Sequence, residues 1–467
     1  MAEFDDKLAS VLTKHLPGCT RLLRAERLTG GASQETYRII AEIDGREATL
    51  AMRRSPGGQY TEPLPAHPGL DVEALLIQAA SAAGVPEPEI YHVLSREDDL
   101  GDGFIMQWLE GEALGGRIVR SDKFAELRPR LAYECGRILA RIHAIDLQEH
   151  GLDKRLAEIP PDEFVNQMWE RYKLLNTPQP MIDYTARWLQ EHMPANYEMR
   201  LVHNDFRNGN FMINEHEIVA VLDWEVAHIG DPMRDLGWIC TNSWRFNGHK
   251  PVGGFGDYED LFRGYEEVSG NKVNADHVKF WEVFGSYWWA VGCLGMAEHY
   301  RTGPDQTVER PAIGRRTSEC QVDCVNLVIP GSVQLVEAEQ ADNTDMPRMD
   351  ELVTSVRDFL REDVMAETQG RVNFLSRVAG NSLDIVMREL ELGGPARAEE
   401  HARLVALFDS EGTLHDLRWR LVQGLRDGTI SLDDENLQIH LRQTVVNQIA
   451  IDQPKYSGFK SAIKNQA

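Results

Sequence analysis

Residues 201–238 read LVHNDFRNGNFMINEHEIVAVLDWEVAHIGDPMRDLGW. Phe211 and Ile213 alternate with Met212 and Asn214, a polar turn fills Asn214–Glu217, and a second apolar run, Ile218–Leu222, ends at Asp223. Two short apolar runs around a polar turn predict a β-hairpin. Its two ends lie side by side, so Asn210 and Asp223 can share one ion. Asp205 stands five residues before Asn210, on a loop punctuated by Gly209. Phosphoryl transfer needs a carboxylate to orient an acceptor hydroxyl and take its proton, and oxygen ligands to hold magnesium on the phosphates. Magnesium is hard, octahedral and slow to dehydrate, so one carboxylate and one amide oxygen suffice beside waters and phosphate. Taken singly, a loop Asp is mostly a turn or cap residue, and an Asn after Gly a turn residue. Together with His203, the aromatic Trp224 after Asp223 and the following Gly-Asp-Pro, they point to a kinase acting on a small molecule.

HNDFRNGNF, VLDWE and GDPMRDLGW resemble the catalytic segment of the aminoglycoside phosphotransferase and choline kinase family, whose pattern is roughly H-G-D-x-x-x-x-N, I-D-W/F and G-D-P-x-x-D-L. The resemblance implies Asp205 as catalytic base, Asn210 and Asp223 as magnesium ligands, and Asp231 and Asp235 as framework residues buttressing the catalytic loop. His203 would pack that loop. Asn204 departs from the family's Gly, although Asn tolerates left-handed backbone angles better than most residues.

The same resemblance implies an α+β, bilobal protein-kinase-like fold with a β-rich N-lobe and a mostly helical C-lobe. A phosphate loop, a basic strand residue and a helix acid should therefore occur upstream, and candidates stand in that order. Gly30, Gly31 and Ser33 precede the strand-like run 36–40, where paired glycines let backbone N–H groups approach phosphates; most such turns are plain turns. The strand 48–52 runs into Arg53-Arg54. Kinases carry a Lys here that grips phosphates and pairs with a helix Glu; this chain offers Arg53, which stays charged and can contact phosphate bidentately. The phosphotransferase domains linked with acyl-CoA dehydrogenases, which the chain also resembles, carry Arg-Arg at this place. Glu73 would be the helix acid, the alternative being a surface Glu in a first helical turn. The segment 103–111, GFIMQWLEG, corresponds to the family's hinge, where the backbone around Gln107 and Leu109 would bond adenine.

The organisation expected along the chain is an N-lobe over 1–110, opened by a capping helix, and a C-lobe over 111–330. An acidic linker over 331–347, a helical domain over 348–452 and a short, basic, mobile tail over 453–467 would follow. Helices are expected near 257–269, 276–301 and 310–328. The helix 135–143 ends at His143, read as a structural histidine. Trp238, Trp244 and Phe246, with the Gly-rich 251–256, would frame the acceptor site or simply be core. In the C-terminal part, Leu352, Val356, Phe359, Leu360 and Val364 mark one amphipathic helix and 372–390 another, with three more at 396–409, 412–428 and 433–450. Their apolar stripes read as core. This part shows no nucleophile, metal set or phosphate loop, and resembles small helical domains of unknown function that follow such phosphotransferase domains.

The 467 residues carry 74 acidic against 49 basic side chains, a net charge of -25. That balance argues against nucleic acid or an anionic membrane as partner. No apolar run reaches the roughly 18 residues of a spanning helix, and MAEFDDKLAS does not read as a signal peptide. Six scattered cysteines fit a reducing, cytoplasmic compartment and ordinary thiols.

The leading expectation is an ATP- and Mg2+-dependent phosphotransferase acting on a hydroxyl of a small molecule, with a hydroxylated acyl-type metabolite ranked above aminoglycosides and GTP not excluded as donor. A second reading, motivated by the missing strand Lys, is a catalytically inactive kinase-fold nucleotide-binding or scaffold protein. An aminoglycoside kinase is a third. A protein kinase fits less well, for H-R-D, D-F-G and G-x-G-x-x-G motifs are not found where they would be needed. A homo-oligomer or a protein partner would engage the C-terminal helices.

Overall fold

The computed structural model describes residues 2–28, 34–61, 67–338 and 345–464. The chain forms two units, one comprising 1–161 and 195–281 and the other 162–194 and 282–467.

The first unit opens with α1 (Ala2–His15), followed by β1 (Cys19–Arg27), β2 (Glu35–Ile43), β3 (Arg46–Arg54), α2 (Leu70–Ala82), β4 (Ile90–Val93) and β5 (Gly103–Gln107). The strands form one antiparallel sheet ordered β1-β2-β3-β5-β4. Alternation of side chains along the strands gives the sheet two apolar faces. Tyr37, Ile39, Ala41, Leu50, Met52 and Ile105 meet Leu8, Val11 and Leu12 of α1. Phe104 instead joins the cluster that includes Val72, Leu76 and Ala79 of α2. The sheet thus lies between two helices, and β3 delivers Arg53 at its end.

The helical lobe of this unit begins with α3 (Gly115–Arg120) and α4 (Arg128–His143). After α5 (Pro161–Leu174) and α6 (Pro180–Glu191), which group with the second unit, the chain returns as β6 (Arg200–Val202), β7 (Phe211–Ile213), β8 (Ile218–Val221), β9 (His228–Gly230), α7 (Met233–Cys240) and α8 (Tyr258–Ser269). β7 and β8 form the expected hairpin and β6 pairs with β9. α4 and α8 pack closely through glycine. A Cβ on Gly136 would stand 2.1 Å from the Leu261 carbonyl, and one on Gly264 2.0 Å from the Tyr133 carbonyl. This close approach sets the ends of the two helices beside each other.

The long α9 (Ala275–Thr302) leads into the second unit, followed by α10 (Glu309–Arg315) and α11 (Thr317–Val328). The single helix expected over 310–328 is therefore two, parted at Arg316. The described residues between Ile329 and Arg348 hold neither helix nor strand. α12 (Met349–Asp358) passes through a π-helical turn (Phe359–Val364) into α13 (Met365–Glu367). Then come α14 (Gly370–Phe408), α15 (Leu414–Arg426), α16 (Glu435–Asp452) and α17 (Ser457–Lys464).

Three further expectations are corrected in this unit. The segments expected as separate helices at 372–390 and 396–409 are one helix, α14, running through Pro395. Proline costs one backbone bond there, and packing along α12, α15 and α16 holds the helix on both sides of it. The tail expected to be mobile forms α17, whose Phe459 and Ala462 are buried. It is anchored by Asn326 Nδ2 donating to the Gly458 carbonyl at 2.8 Å and Arg442 Nη2 to the Ala462 carbonyl at 3.0 Å. The stripe expected as core on α12 is open: Leu352, Val356 and Phe359 are each more than half exposed. The core lies instead on α15 and α16, in Leu421, Leu425, Leu437 and Val446. All six cysteines are buried. Among the described residues no helix is long and apolar enough to cross a membrane.

Candidate active site

The loop after β6 is fixed from behind. Asp235, fully buried on α7, accepts the backbone N–H groups of His203 at 2.9 Å and Asn204 at 2.7 Å. His143, at the end of α4, donates Nε2 to the same carboxylate at 3.0 Å while Tyr265 of α8 donates its hydroxyl to Nδ1 at 3.0 Å. Burial alone would raise the Asp235 carboxyl; the charge-assisted bonds from His143 and the backbone hold it below its ordinary value. His203 is buried against Trp224, at 4.5 Å between rings, and its Nδ1 accepts the Asp205 N–H at 3.2 Å. Burial lowers its pKa against the pull of the nearby carboxylates.

Asn204 adopts φ +66°, the left-handed region that favours Gly or Asn. Its side chain is engaged at both ends. Oδ1 accepts Arg234 Nε at 3.0 Å and Nδ2 donates to the Val226 carbonyl at 3.3 Å. The departure from glycine thus carries two hydrogen bonds that glycine could not make.

Asp205 is partly exposed. Its Oδ1 accepts Trp238 Nε1 at 2.8 Å and Arg207 Nε at 3.0 Å, and its Oδ2 accepts Asn210 Nδ2. Asn210 Nδ2 also donates to the Asp205 carbonyl at 3.0 Å, which leaves Oδ1 as the amide atom available to a cation. The Leu222 N–H donates to the Asn210 carbonyl at 2.8 Å, so the two ends of the hairpin are bonded to each other. Asp223 follows at φ +70°. Two oxygen donors on adjoining backbone, one of them charged, fit a hard divalent cation.

Arg53 reaches the same place from the sheet. Its Nη1 lies 2.9 Å from Glu73 Oε1 and its Nη2 2.6 Å from Asp223 Oδ1; Glu225 Oε2 stands 3.8 Å away, and Gln34 Oε1 accepts Nε. Glu73 is buried rather than on the surface. Burial pushes its carboxyl up to about 7 against the pull of Arg53. Glu225 and Gln34 were not singled out by sequence; a Glu two residues after a metal-competent Asp is the only signal that could have pointed to one of them.

Other residues stand differently from their expected places. Gln107 donates its N–H to the Glu89 carbonyl at 2.8 Å, just before β4. Leu109 lies just past the end of β5, and among the described residues its N–H has no backbone acceptor. Asp231 Oδ1 caps α7 through the Met233 N–H at 3.0 Å, and Oδ2 accepts Trp281 Nε1 at 2.8 Å beside His277. Trp238 and Trp244 are buried, edge to face at 5.1 Å, with the Arg207 guanidinium 4.1 Å from the centre of Trp244. They form a wall behind Asp205, because the indole N–H finds its acceptor there, rather than an open acceptor face. Phe246 is half-buried, at φ +49°, and packs so tightly on Gly115 that a Cβ there would meet its ring at 2.3 Å. Asn208, unremarked in the sequence, is fully buried and donates to the Gly253 carbonyl at 2.8 Å, tying the catalytic loop to the Gly-rich segment. Gly30, Gly31 and Ser33 lie outside the described residues.

A sheet lobe presenting an Arg–Glu pair to a helical lobe that presents Asp, Asn and Asp defines a kinase-like small-molecule phosphotransferase, an enzyme with a hydroxyl as acceptor. The chain belongs to the phosphotransferase enzyme family, whose sequence profile matches residues 24–270; residues 366–456 match a domain of unknown function. It is 29% identical over 243 residues to acyl-CoA dehydrogenase family member 10 of Mus musculus, covering 50% of this chain and 21% of that protein. It is 27% identical over 248 residues to acyl-CoA dehydrogenase family member 11 of Homo sapiens, covering 50% and 30%. The chain thus spans less than a third of the length of these relatives. The crystal structure of a Ralstonia eutropha protein assigned to the aminoglycoside phosphotransferases shares the fold. It is 24% identical, with a TM-score of 0.57 over 68% of this chain and 95% of that one.

Proposed function

We propose that the chain transfers the terminal phosphoryl group of ATP to a hydroxyl of a small molecule. Asp205 orients the acceptor and receives its proton, Asn210 Oδ1 and Asp223 hold magnesium, and Arg53, once turned from Asp223, steadies the donor phosphates. Magnesium, when bound, draws charge off the phosphate oxygens. The observation that carries this reading is the convergence of Asp205, Asn210 and Asp223 around one bonded hairpin, with Asn210 Nδ2 turned to Asp205. General-base help from a positioned carboxylate is worth about 10²–10⁴ in rate.

The acceptor we propose is a hydroxylated acyl-type metabolite. Its support is the likeness of the catalytic half to parts of acyl-CoA dehydrogenase family members. One observation favours the second reading, an inactive nucleotide-binding protein: Arg53 stands where a Lys is usual and is paired with Asp223. Thermal unfolding with ATP and magnesium separates the two from a chain that binds nothing. Ligand at about 100 times its dissociation constant adds roughly 2.7 kcal/mol, and this rise should need magnesium and vanish in Asp223→Ala. Turnover of hydroxylated acids that is lost in Asp205→Ala, with nucleotide binding intact, then distinguishes enzyme from scaffold. No rise with ATP or GTP would sink both.

The open stripe of Leu352, Val356 and Phe359 supports self-association or a protein partner through the C-terminal helices. Sedimentation of a Leu352→Lys, Phe359→Lys chain that matches wild type would count against self-association there.

A further inference from the structure

Away from the catalytic loop, on the α1 face of the sheet, His15, His92 and Asp98 offer one ligand atom each within 4.8 Å of one another. His15 is the last residue of α1, His92 lies in β4, and Asp98 ends the short turn that follows it. The two imidazoles stack at 3.8 Å between centroids, and both turn Nε2 toward the Asp98 carboxylate, at 3.4 Å from Oδ1 for His15 and 2.9 Å from Oδ2 for His92. We propose that this cluster is a binding site for a divalent transition metal of the zinc class, which ties the end of α1 to the outer face of the N-lobe sheet.

Three features carry the proposal. The donor set, two imidazoles and one carboxylate, suits zinc, with water as a fourth ligand. Second, Asp98 is already oriented as a ligand carboxylate. Its Oδ2 accepts the Ser95 N–H at 2.7 Å and the Ser95 hydroxyl at 2.9 Å, which turns Oδ1 toward His15. Such outer bonds aim and tune metal ligands. Third, His15 Nε2 is a buried nitrogen without a hydrogen-bond partner among the described residues, although it faces Asp98 Oδ1. Ligand atoms around a tetrahedral zinc with bonds near 2.0–2.1 Å stand about 3.4 Å apart. Rotation of the partly exposed His15 side chain covers the difference from the spacing observed. Lys7 and Lys14 point to other acids, Lys7 to Glu3 and Asp99 and Lys14 to Glu97, and so leave the cluster to its own ligands.

Cobalt(II) serves as the probe, added to the full chain carrying Asp223→Asn so that the catalytic carboxylate does not compete. Expected is one equivalent of cobalt with the visible bands of a tetrahedral ion, displaced by zinc and removed by chelator, and a rise in unfolding midpoint with zinc. His15→Gln and His92→Gln, on the same background, should weaken binding at least about tenfold while the apo midpoint stays close to the parent. Ser95→Ala should weaken it by about 10-fold or more. Absence of stoichiometric binding, or binding undiminished in both His variants, would overturn the proposal.

Discussion

Arg53 Nη2 lies 2.6 Å from Asp223 Oδ1: the cation expected to grip phosphate and the carboxylate expected to grip magnesium grip each other. Glu73 shares the same guanidinium at 2.9 Å. Under the proposed function, binding of a metal nucleotide would exchange these partners, with Arg53 released toward the phosphates as Asp223 turns to the cation.

Removing Arg53 leaves Glu73, Asp223 and Glu225 without their common counter-charge. Loss of one partner of a buried pair costs about 3–5 kcal/mol, so Arg53→Ala should unfold at distinctly lower denaturant and show a raised KM for nucleotide. Arg53→Lys cannot span both acids with one fork, and should lie between the two in denaturant titration and in KM. An Arg53→Ala chain as stable as wild type would show that the pair contributes nothing.

Trp238 tests the positioning of Asp205. Trp238→Phe keeps the ring and deletes the N–H that reaches Oδ1 at 2.8 Å. A net loss of about 1–2 kcal/mol in stability is expected, together with a fall in kcat of about tenfold at nearly constant nucleotide KM. An unchanged kcat would mean that Arg207 and Asn210 hold the carboxylate without it.

Asn204→Gly restores the family's residue and relieves a left-handed φ, yet it deletes the bonds to Arg234 and Val226. With Arg234 buried, the loss should prevail, by about 1–2 kcal/mol. Asn204→Ala loses the same bonds and also meets the left-handed strain, so it should be less stable than the Gly variant by about 1 kcal/mol. The order of the three chains in chemical denaturation checks this.

Acid should weaken the second unit through His440. Burial, with Arg403 and Arg418 nearby, pushes its pKa down to about 3 from an ordinary 6.5. The unfolded chain takes up a proton below pH 6.5 that the folded chain refuses. Stability from this group is therefore complete above 6.5 and declines as pH falls toward 3. Between pH 7 and 5 the expected loss is about 2 kcal/mol. Comparison of His440→Gln with wild type at the two pH values should show that difference reduced in the variant.

The catalytic hairpin was legible because alternation, turn and metal-competent ends all sit within 38 contiguous residues, 201–238. Glu73 could be placed because a helix acid answers a strand cation. What escaped was contact at long range. Nothing in the sequence says that Tyr265 meets His143, which in turn holds Asp235, since that depends on glycine contacts between α4 and α8. Trp238 was left open between acceptor frame and core because aromatic residues suit both; its burial and the direction of its N–H come only from the structure. The helices at 372–390 and 396–409 were read as separate, whereas packing along α14 carries one helix through Pro395. The tail was read from its lysines, while Phe459 and Ala462 set its place.

Asp235 pins the loop from its buried side, away from solvent. Chemistry and selectivity are thereby mechanically uncoupled: the residues facing an acceptor can be exchanged for a larger, smaller or differently charged lining while Asp205 keeps its aim. A scaffold so arranged would, under the proposed function, let phosphorylation be redirected to new alcohols without rebuilding the loop.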